Sequence, residues 1–300
     1  MHVMQWVESL FMPTVSLMLR EPDPMFQSRK SLHKGWFIPI KRWRLFVLSL
    51  VLSNQIGMAQ ESTFTLPKDP KAEIIVYDEQ AGFGLPRRYP GAVLTILRDG
   101  TVTMPDIYGR GQSFKGRLDE QELQDLLRFV IGEKKFFDFD AEKVKAEMKA
   151  AESKRQIPQI ADAPVQVFEV QTAKRQHRVS HYALGMATEY REIESLQQLH
   201  AIQKRLRRVM NETRVGGNSG VQNLLELVNR EQKTEMPDAR PFTLDEFTGS
   251  SARGEDGVNA NFFRRFMGDD GRPNGKFIAA LVEISGADSK PKVMFRSKLK

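Results

Sequence analysis

The chain has no cysteine among its 300 residues, and this absence removes two ways of securing an exported protein. No disulfide can form, and no cysteine is present to carry a lipid anchor behind an export signal. Stability must therefore come from a packed hydrophobic core alone. Beyond residue 60 the chain is long enough for such a core, built as one large domain or as two small ones.

The chain also lacks an apolar run near its N-terminus that is long enough to span a membrane. Residues 45–52 are apolar, but even residues 45–56 fall short of the ~20 apolar residues that a spanning helix needs. Basic residues between Lys41 and Arg44 precede this run, as in a bacterial export signal. The alternative is an uncleaved inner-membrane anchor formed by residues 45–56.

Small residues follow the apolar run at the positions that a signal peptidase recognises. Gly57 and Ala59 occupy these positions, which predicts cleavage between Ala59 and Gln60. We therefore interpret residues 1–59 as a leader with a signal peptide, and we expect a periplasmic or extracellular protein. The segment before the apolar run is long for such a signal, and translation from Met25 would give a leader of more ordinary shape.

The net charge falls once the leader is subtracted. Seven of the 45 Lys and Arg residues and three of the 38 Asp and Glu residues lie in residues 1–59, so the net charge changes from +7 to +3. All three tryptophans lie there as well. A nearly neutral mature chain is weak support for nucleic-acid binding, which usually needs a concentrated basic face. We expect no nucleic acid, and another envelope protein or polymer as the partner.

Hydrophobic patterning of the remaining chain predicts an α+β fold, in which antiparallel hairpins pack against amphipathic helices. Asp99-Gly100 lies between two β-rich runs and indicates a hairpin, because glycine accepts a positive φ in a tight turn. Asp119 and Glu122 form a capping-box pattern ahead of a helix, and Gly132 ends that helix. Further strands and helices are predicted at residues 73–78, 140–155, 165–172, 176–182 and 189–210.

Glycines at residues 215–220 predict a linker between two domains, which span residues 73–214 and 219–300. Ser219 is expected to cap a short helix after the linker, with Gln222 completing a capping box. Strands are then predicted at residues 258–267, 276–284 and 292–299, with a shorter one near 242–248. The second domain is therefore a smaller helix-plus-antiparallel-meander module.

Several motifs of the first domain are shared with a known group of proteins. Residues 82–86 form a glycine-containing loop, and residues 92–102 form a strand-Asp-Gly-strand hairpin. Residues 116–127 contain Glu-Leu-x-x-Leu-Leu, and the pair Phe136-Phe137 follows. Over roughly residues 74–140 the chain resembles domains of unknown function in exported bacterial proteins, many of which carry cysteine in the early loop. The resemblance implies an uncharacterised α+β domain and carries over no catalytic residue.

Histidines are the first candidates for chemistry in the mature chain. His177 and His181 share one face of a predicted strand, because side chains repeat every two residues. With His200 they are a candidate three-histidine metal site. The simpler interpretation makes His177 a solvated residue near a turn and His181 a hydrogen-bonding residue at the edge of the core. No HExxH or comparable spacing supports a metal, so we expect neither metal nor cofactor.

Two basic and two aromatic residues are candidates for a binding surface. Arg205 and Arg208 lie near the end of a predicted helix, where they complement the helix dipole or, alternatively, contact a polyanion. Phe263 points to the opposite strand face from Phe262, and an uncovered phenylalanine there would mark a partner surface. Phe83, in the glycine-containing loop, is the second aromatic candidate.

These features favour a non-enzymatic binding or structural component of the periplasm or cell envelope. The sequence contains no recognisable convergent set of nucleophile, base and metal ligands, although it leaves enzymatic activity open. The alternative is a hydrolase that uses His181 with an unidentified acidic partner. A deep pocket that holds His181 beside a buried carboxylate would favour the hydrolase, and an exposed Phe263 or Phe83 would favour binding.

Overall fold

Two antiparallel sheets and four α-helices are the main elements in the part of the chain that the structure describes. The structure, a computed structural model, describes residues 64–80, 82, 91–106, 112–158, 160–253, 257–268, 271–286 and 289–298. All of these residues belong to one unit that spans residues 61–300. Ala59 and Gln60 at the predicted cleavage site lie outside the described residues, as does Phe83.

The first sheet has six antiparallel strands in the order β4-β3-β2-β1-β5-β6. The strands are β1 (Glu73–Gln80), β2 (Leu94–Leu97), β3 (Thr101–Met104), β4 (Phe114–Arg117), β5 (Val165–Gln171) and β6 (Gln176–Tyr182). The predicted hairpin around Asp99-Gly100 is confirmed, and Gly100 has a φ of +84°. The β5–β6 hairpin is confirmed as well. Strand β4 was not predicted, because its four residues are short of apolar side chains.

Three helices bury their apolar stripes with this sheet in one continuous core. They are α1 (Glu120–Leu127), α2 (Ala141–Glu152) and α3 (Glu194–Arg214). The predicted capping box of α1 is confirmed, since the Asp119 carboxylate accepts from the Glu122 N–H at 2.8 Å and Asp119 N–H donates to Glu122 at 3.0 Å. A π-helical turn continues α1 over Arg128–Glu133, so the helical segment ends within one residue of the predicted Gly132.

The predicted glycine-rich linker is mostly helix. Helix α4 spans Gly217–Glu235, so only Val215 and Gly216 separate it from α3. Ser219 therefore lies inside the helix, and Gly216, with a φ of +93°, occupies the N-cap position instead. None of the helices in the described ranges is long and apolar enough to cross a membrane. Whether the chain divides into domains near this junction stays a prediction.

The second sheet is a four-stranded antiparallel meander in the order β10-β9-β8-β7. Its strands are β7 (Phe247–Arg253), β8 (Gly257–Met267), β9 (Pro273–Ser285) and β10 (Lys292–Lys298). Val221, Leu224 and Val228 of α4 pack with the inner face of this sheet in a second core, which confirms the helix-plus-meander prediction. The strand expected near residues 242–248 begins only at Phe247, because Leu244–Glu246 forms a 3-10 turn.

Candidate binding surface

The two faces of the four-stranded sheet differ in exposure. Side chains that alternate toward α4, such as Phe262 and Val282, are buried, whereas those on the opposite face are half-buried or exposed. We call that opposite side the outer face. It is formed by Asn259, Asn261, Phe263 and Arg265 of β8, Phe277, Ala279, Leu281 and Glu283 of β9, and Lys292, Met294, Arg296 and Lys298 of β10. The prediction that Phe263 lies on the opposite face of the strand from Phe262 is therefore confirmed.

An aromatic pair lies on the outer face with a cation on it. The rings of Phe263 and Phe277 stack with centroids 5.6 Å apart and planes 28° apart. The guanidinium carbon of Arg265 lies 5.7 Å from the centroid of the Phe263 ring, within the range of a cation–π contact. Phe277 and Arg265 are direct cross-strand partners, and Lys298 pairs with Phe277 from the other side. Register therefore places aromatic rings and cations in alternation.

The charge of the outer face is predominantly positive. Its acidic residue, Glu283, is bound at 2.5 Å by Arg253 from strand β7. Among the described residues, no carboxylate lies within ion-pair distance of Arg265, Arg296 or Lys298. Exposed cations beside half-buried apolar side chains form a surface that attracts anions and also offers apolar area to a partner.

The basic stretch on α3 is separate from the outer face and partly neutralised. α3 continues to Arg214, so Arg205 and Arg208 lie inside the helix rather than near its end as expected. Arg208 Nε donates to Glu212 at 2.8 Å, and Arg207 donates to Glu79 from Nε at 3.0 Å and from Nη2 at 2.8 Å. Arg205 is half-buried. The polyanion alternative is thereby weakened, because part of this charge is already paired.

The histidines do not assemble into a site in the described residues. His177, expected to be solvated, is half-buried with its ring edge-on to Phe136 at 5.5 Å. His181 Nδ1 is buried and has no hydrogen-bond partner among the described residues, and burial lowers the pKa of His181. Burial, reinforced by neighbouring cations, also lowers the pKa of His200.

The part of the chain that the structure describes shows neither a metal site nor an acid–base pair around these histidines. Across the ranges that the structure describes, no three His, Asp or Glu side chains are grouped as metal ligands. The same ranges contain no carboxylate that accepts a hydrogen bond from His181. The described residues therefore show no acidic partner for His181 of the kind that the hydrolase alternative requires.

Several residues of the outer face were not identified from the sequence. Phe277, Arg296 and Lys298 lie in strands that were predicted, but their positions opposite Phe263 and Arg265 depend on the register of three strands. The detectable signal was the alternation of apolar and polar residues within each strand. Cross-strand register leaves no comparable local signal when the connecting turns vary in length.

Comparisons with known proteins add no relative. No protein-family profile, no curated protein and no solved structure matches the chain. The resemblance to exported bacterial domains of unknown function stays an expectation from sequence.

Proposed function

We propose that the chain is an exported, non-enzymatic binding component of the periplasm or cell envelope, and that it holds an acidic segment of a partner protein on the outer face. The observation that carries this proposal is the stacked pair Phe263 and Phe277 among three cations, Arg265, Arg296 and Lys298, that have no ion-pair partner in the described ranges. Apolar side chains of the partner cover the rings, and its carboxylates meet the cations.

The ring geometry favours a peptide over a nucleic acid. Binding of single-stranded nucleic acid relies on aromatic ring faces onto which bases stack. Here Phe277 covers one side of the Phe263 ring, and Arg265 also lies on that ring. Apolar side chains need only the exposed apolar surface of the pair, and Leu281 and Met294 enlarge that surface on the next row of the sheet.

Charge also favours an acidic partner over two other possible occupants of the outer face. A second copy of the chain, packed face to face, would bring like charges such as Arg265 and Arg296 together, which is unfavourable. The leader, residues 1–59, carries seven basic and three acidic residues and would be repelled in the same way. An acidic segment of another protein therefore matches the face best.

Fluorescence anisotropy with the full-length protein tests the binding proposal. The probe is a labelled extended peptide of alternating Asp and Leu, which combines carboxylates with apolar side chains. We expect saturable binding that R296E weakens at least about tenfold, because a cation on strand β10 of the face is replaced by an anion. The control K174E reverses an exposed charge in the β5–β6 turn and should leave binding unchanged.

Three outcomes of this titration contradict the proposal. They are absence of saturable binding, equal weakening by R296E and K174E, and tighter binding of a labelled oligothymidylate than of the peptide. An oligothymidylate preference would assign the outer face to nucleic acid instead.

Sequencing the N-terminus of the native protein tests the export proposal separately. Processing by signal peptidase predicts a chain that starts at Gln60. A periplasmic or secreted fraction should contain this form. A native chain that starts at Met1 or Met25 contradicts export by cleavage.

A further inference from the structure

A cleft lies where the end of the first sheet meets strand β7 of the second. Its volume is about 310 Å³, at the lower end of the range for small-molecule sites. The residues that matter for its chemistry are Glu79, Met104, Phe114, Met210, Arg214 and Ser251. They come from both sheets and from the last turns of α3.

Contacts between α3 and β7 fix one edge of the Arg214 guanidinium. Its Nη1 donates to Asn211 at 2.9 Å and to the Ser250 carbonyl at 3.3 Å. Ser250 Oγ in turn donates to the Asn211 carbonyl at 2.8 Å. Gly249 permits this approach, because a Cβ at that position would lie 3.1 Å from the Asn211 side chain. The guanidinium is therefore held in place by its surroundings.

The other edge of the same guanidinium is unengaged. Within the described ranges, no acceptor is bonded to Nε or Nη2 of Arg214, and no carboxylate lies within ion-pair distance of it. Glu79 lines the same cleft, but Arg207 binds its carboxylate. Burial lowers the pKa of Arg214, against the opposing attraction of Glu79. A guanidinium stays charged at any ordinary pH, so a half-buried cation faces the cleft with no ion-pair partner among the described residues.

Apolar side chains line one part of the cleft, beside the polar residues Asp106, Gln112 and Ser250. Met104 is buried at the end of β3, and Met210 lies one helical turn before Arg214 on α3. Phe114 and Val93 complete this lining. Methionine side chains adapt to ligands of different shape, so this part suits a flexible apolar body rather than a polar one.

We propose that the cleft binds a monocarboxylate with an apolar body, whose carboxylate pairs with the free Nε–Nη2 edge of Arg214. That edge offers two parallel donors that match a carboxylate. Glu79 and Asp106, which also line the cleft, disfavour the second negative charge of a phosphate. Ser251 of the cleft pairs with Asn259 at the β7 end of the outer face, whereas the stacked phenylalanine pair and the cations proposed to bind the peptide lie on β8, β9 and β10. Neither proposal depends on the other.

Isothermal titration of the full-length protein with sodium octanoate tests this site. Octylammonium chloride is the control for apolar binding without the carboxylate, and inorganic phosphate is the control for charge without the apolar body. We expect saturable binding of octanoate and at least about tenfold weaker binding of both controls. The Arg214→Gln variant should weaken octanoate binding by a similar factor, because two charge-assisted hydrogen bonds are lost.

A second pair of variants keeps the test decisive if Arg214→Gln does not fold. Ser251 is exposed at the rim of the cleft, so substitution there leaves the core intact. Ser251→Glu adds a like charge and should weaken octanoate binding about threefold, whereas Ser251→Gln should not.

Several outcomes overturn the proposal. Absence of saturable octanoate binding up to about 10 mM is one, since it corresponds to an affinity below that of a weak specific site. Octylammonium or phosphate binding as tightly as octanoate is another. Unchanged octanoate affinity in a folded Arg214→Gln protein, or equal affinity in both Ser251 variants, also overturns it.

Discussion

Arg264 and Glu246 form a bidentate ion pair in the second core. Arg264 Nε lies 2.7 Å from Glu246 Oε1, and Nη2 lies 2.8 Å from Oε2. The guanidinium also donates to the carbonyls of Arg240 and Pro241 at 2.5 and 2.6 Å, and it covers the ring of Phe242 at 4.7 Å. One side chain of β8 therefore ties together the segment that leads into β7.

Replacement of Arg264 by methionine should destabilise the protein by about 3 kcal/mol, because Glu246 loses its bidentate partner and two carbonyls lose their donor, although Arg240 still pairs with Glu246 at 2.8 Å. Arg264 is only 5% exposed, so water cannot replace the lost bonds readily. Urea denaturation followed by circular dichroism measures the change. The matched control is Arg265→Met, an exposed neighbour on the outer face, which should shift stability by no more than about 0.5 kcal/mol. Equal effects of the two variants would contradict the structural role of the pair.

Acid should weaken the same pair. Burial alone would raise the pKa of Glu246, but the bonds from Arg264 and the Thr243 N–H outweigh it and lower the pKa below its ordinary value of 4.5. The resulting stability is present above pH 4.5 and is lost as the pH falls through the lowered pKa. Glu246→Gln should therefore be less stable at pH 7 and lose less stability than the wild type between pH 5 and pH 3. Parallel curves of unfolding free energy against pH would refute this assignment.

The buried His181 should cause a second loss of stability at a milder pH. Burial lowers its pKa below the ordinary 6.5, so the unfolded chain takes up this proton more readily than the folded one. Its contribution is present above pH 6.5 and is lost as the pH falls through the lowered pKa. His181→Gln should flatten the fall in melting temperature between pH 7.5 and pH 5.5. His200 acts in the same direction, so the double variant should be flatter still.

Substitution of the hairpin glycine Gly100 should destabilise the protein more than substitution of Gly217, which also has a positive φ. A Cβ at Gly100 would lie 2.1 Å from the Leu118 carbonyl oxygen, so Gly100→Ala adds a backbone clash to the strain of a φ of +84°. We expect a loss of at least about 2 kcal/mol. Gly217 has a φ of +78° but open space around it, and Gly217→Ala should cost about 1 kcal/mol. Thermal unfolding of both variants measures the two losses of stability, and the difference between them gives the contribution of the clash.

Local chemistry explains which elements could be predicted from the sequence. The cap at Asp119 and the turn at Asp99-Gly100 act over three or four residues, so their patterns are complete within the local sequence. The linker predicted at residues 215–220 was wrong, because its glycines are typical of a flexible segment but also permit close packing. A Cβ at Gly220 would lie 1.8 Å from the Val215 carbonyl oxygen, so this glycine serves close packing.

The candidate sites were less accessible to prediction than the fold. Phe263 could be identified from strand alternation, but Phe277 becomes its neighbour only through the β8–β9 register. The cleft is further removed, because Glu79, Arg214 and Ser251 are distant in sequence and meet through contacts between α3 and β7. Tertiary proximity of this kind has no local pattern.

The two-residue junction between α3 and α4 sets a rotational phase for the second half of the chain. Each residue added to a helix turns its side chains by about 100°. An insertion beside Val215 or Gly216 that lengthened α4 would rotate the stripe of Val221, Leu224 and Val228 away from the meander. Length variation during evolution is therefore constrained at this junction, whereas the exposed β5–β6 turn at residues 173–175 can absorb it.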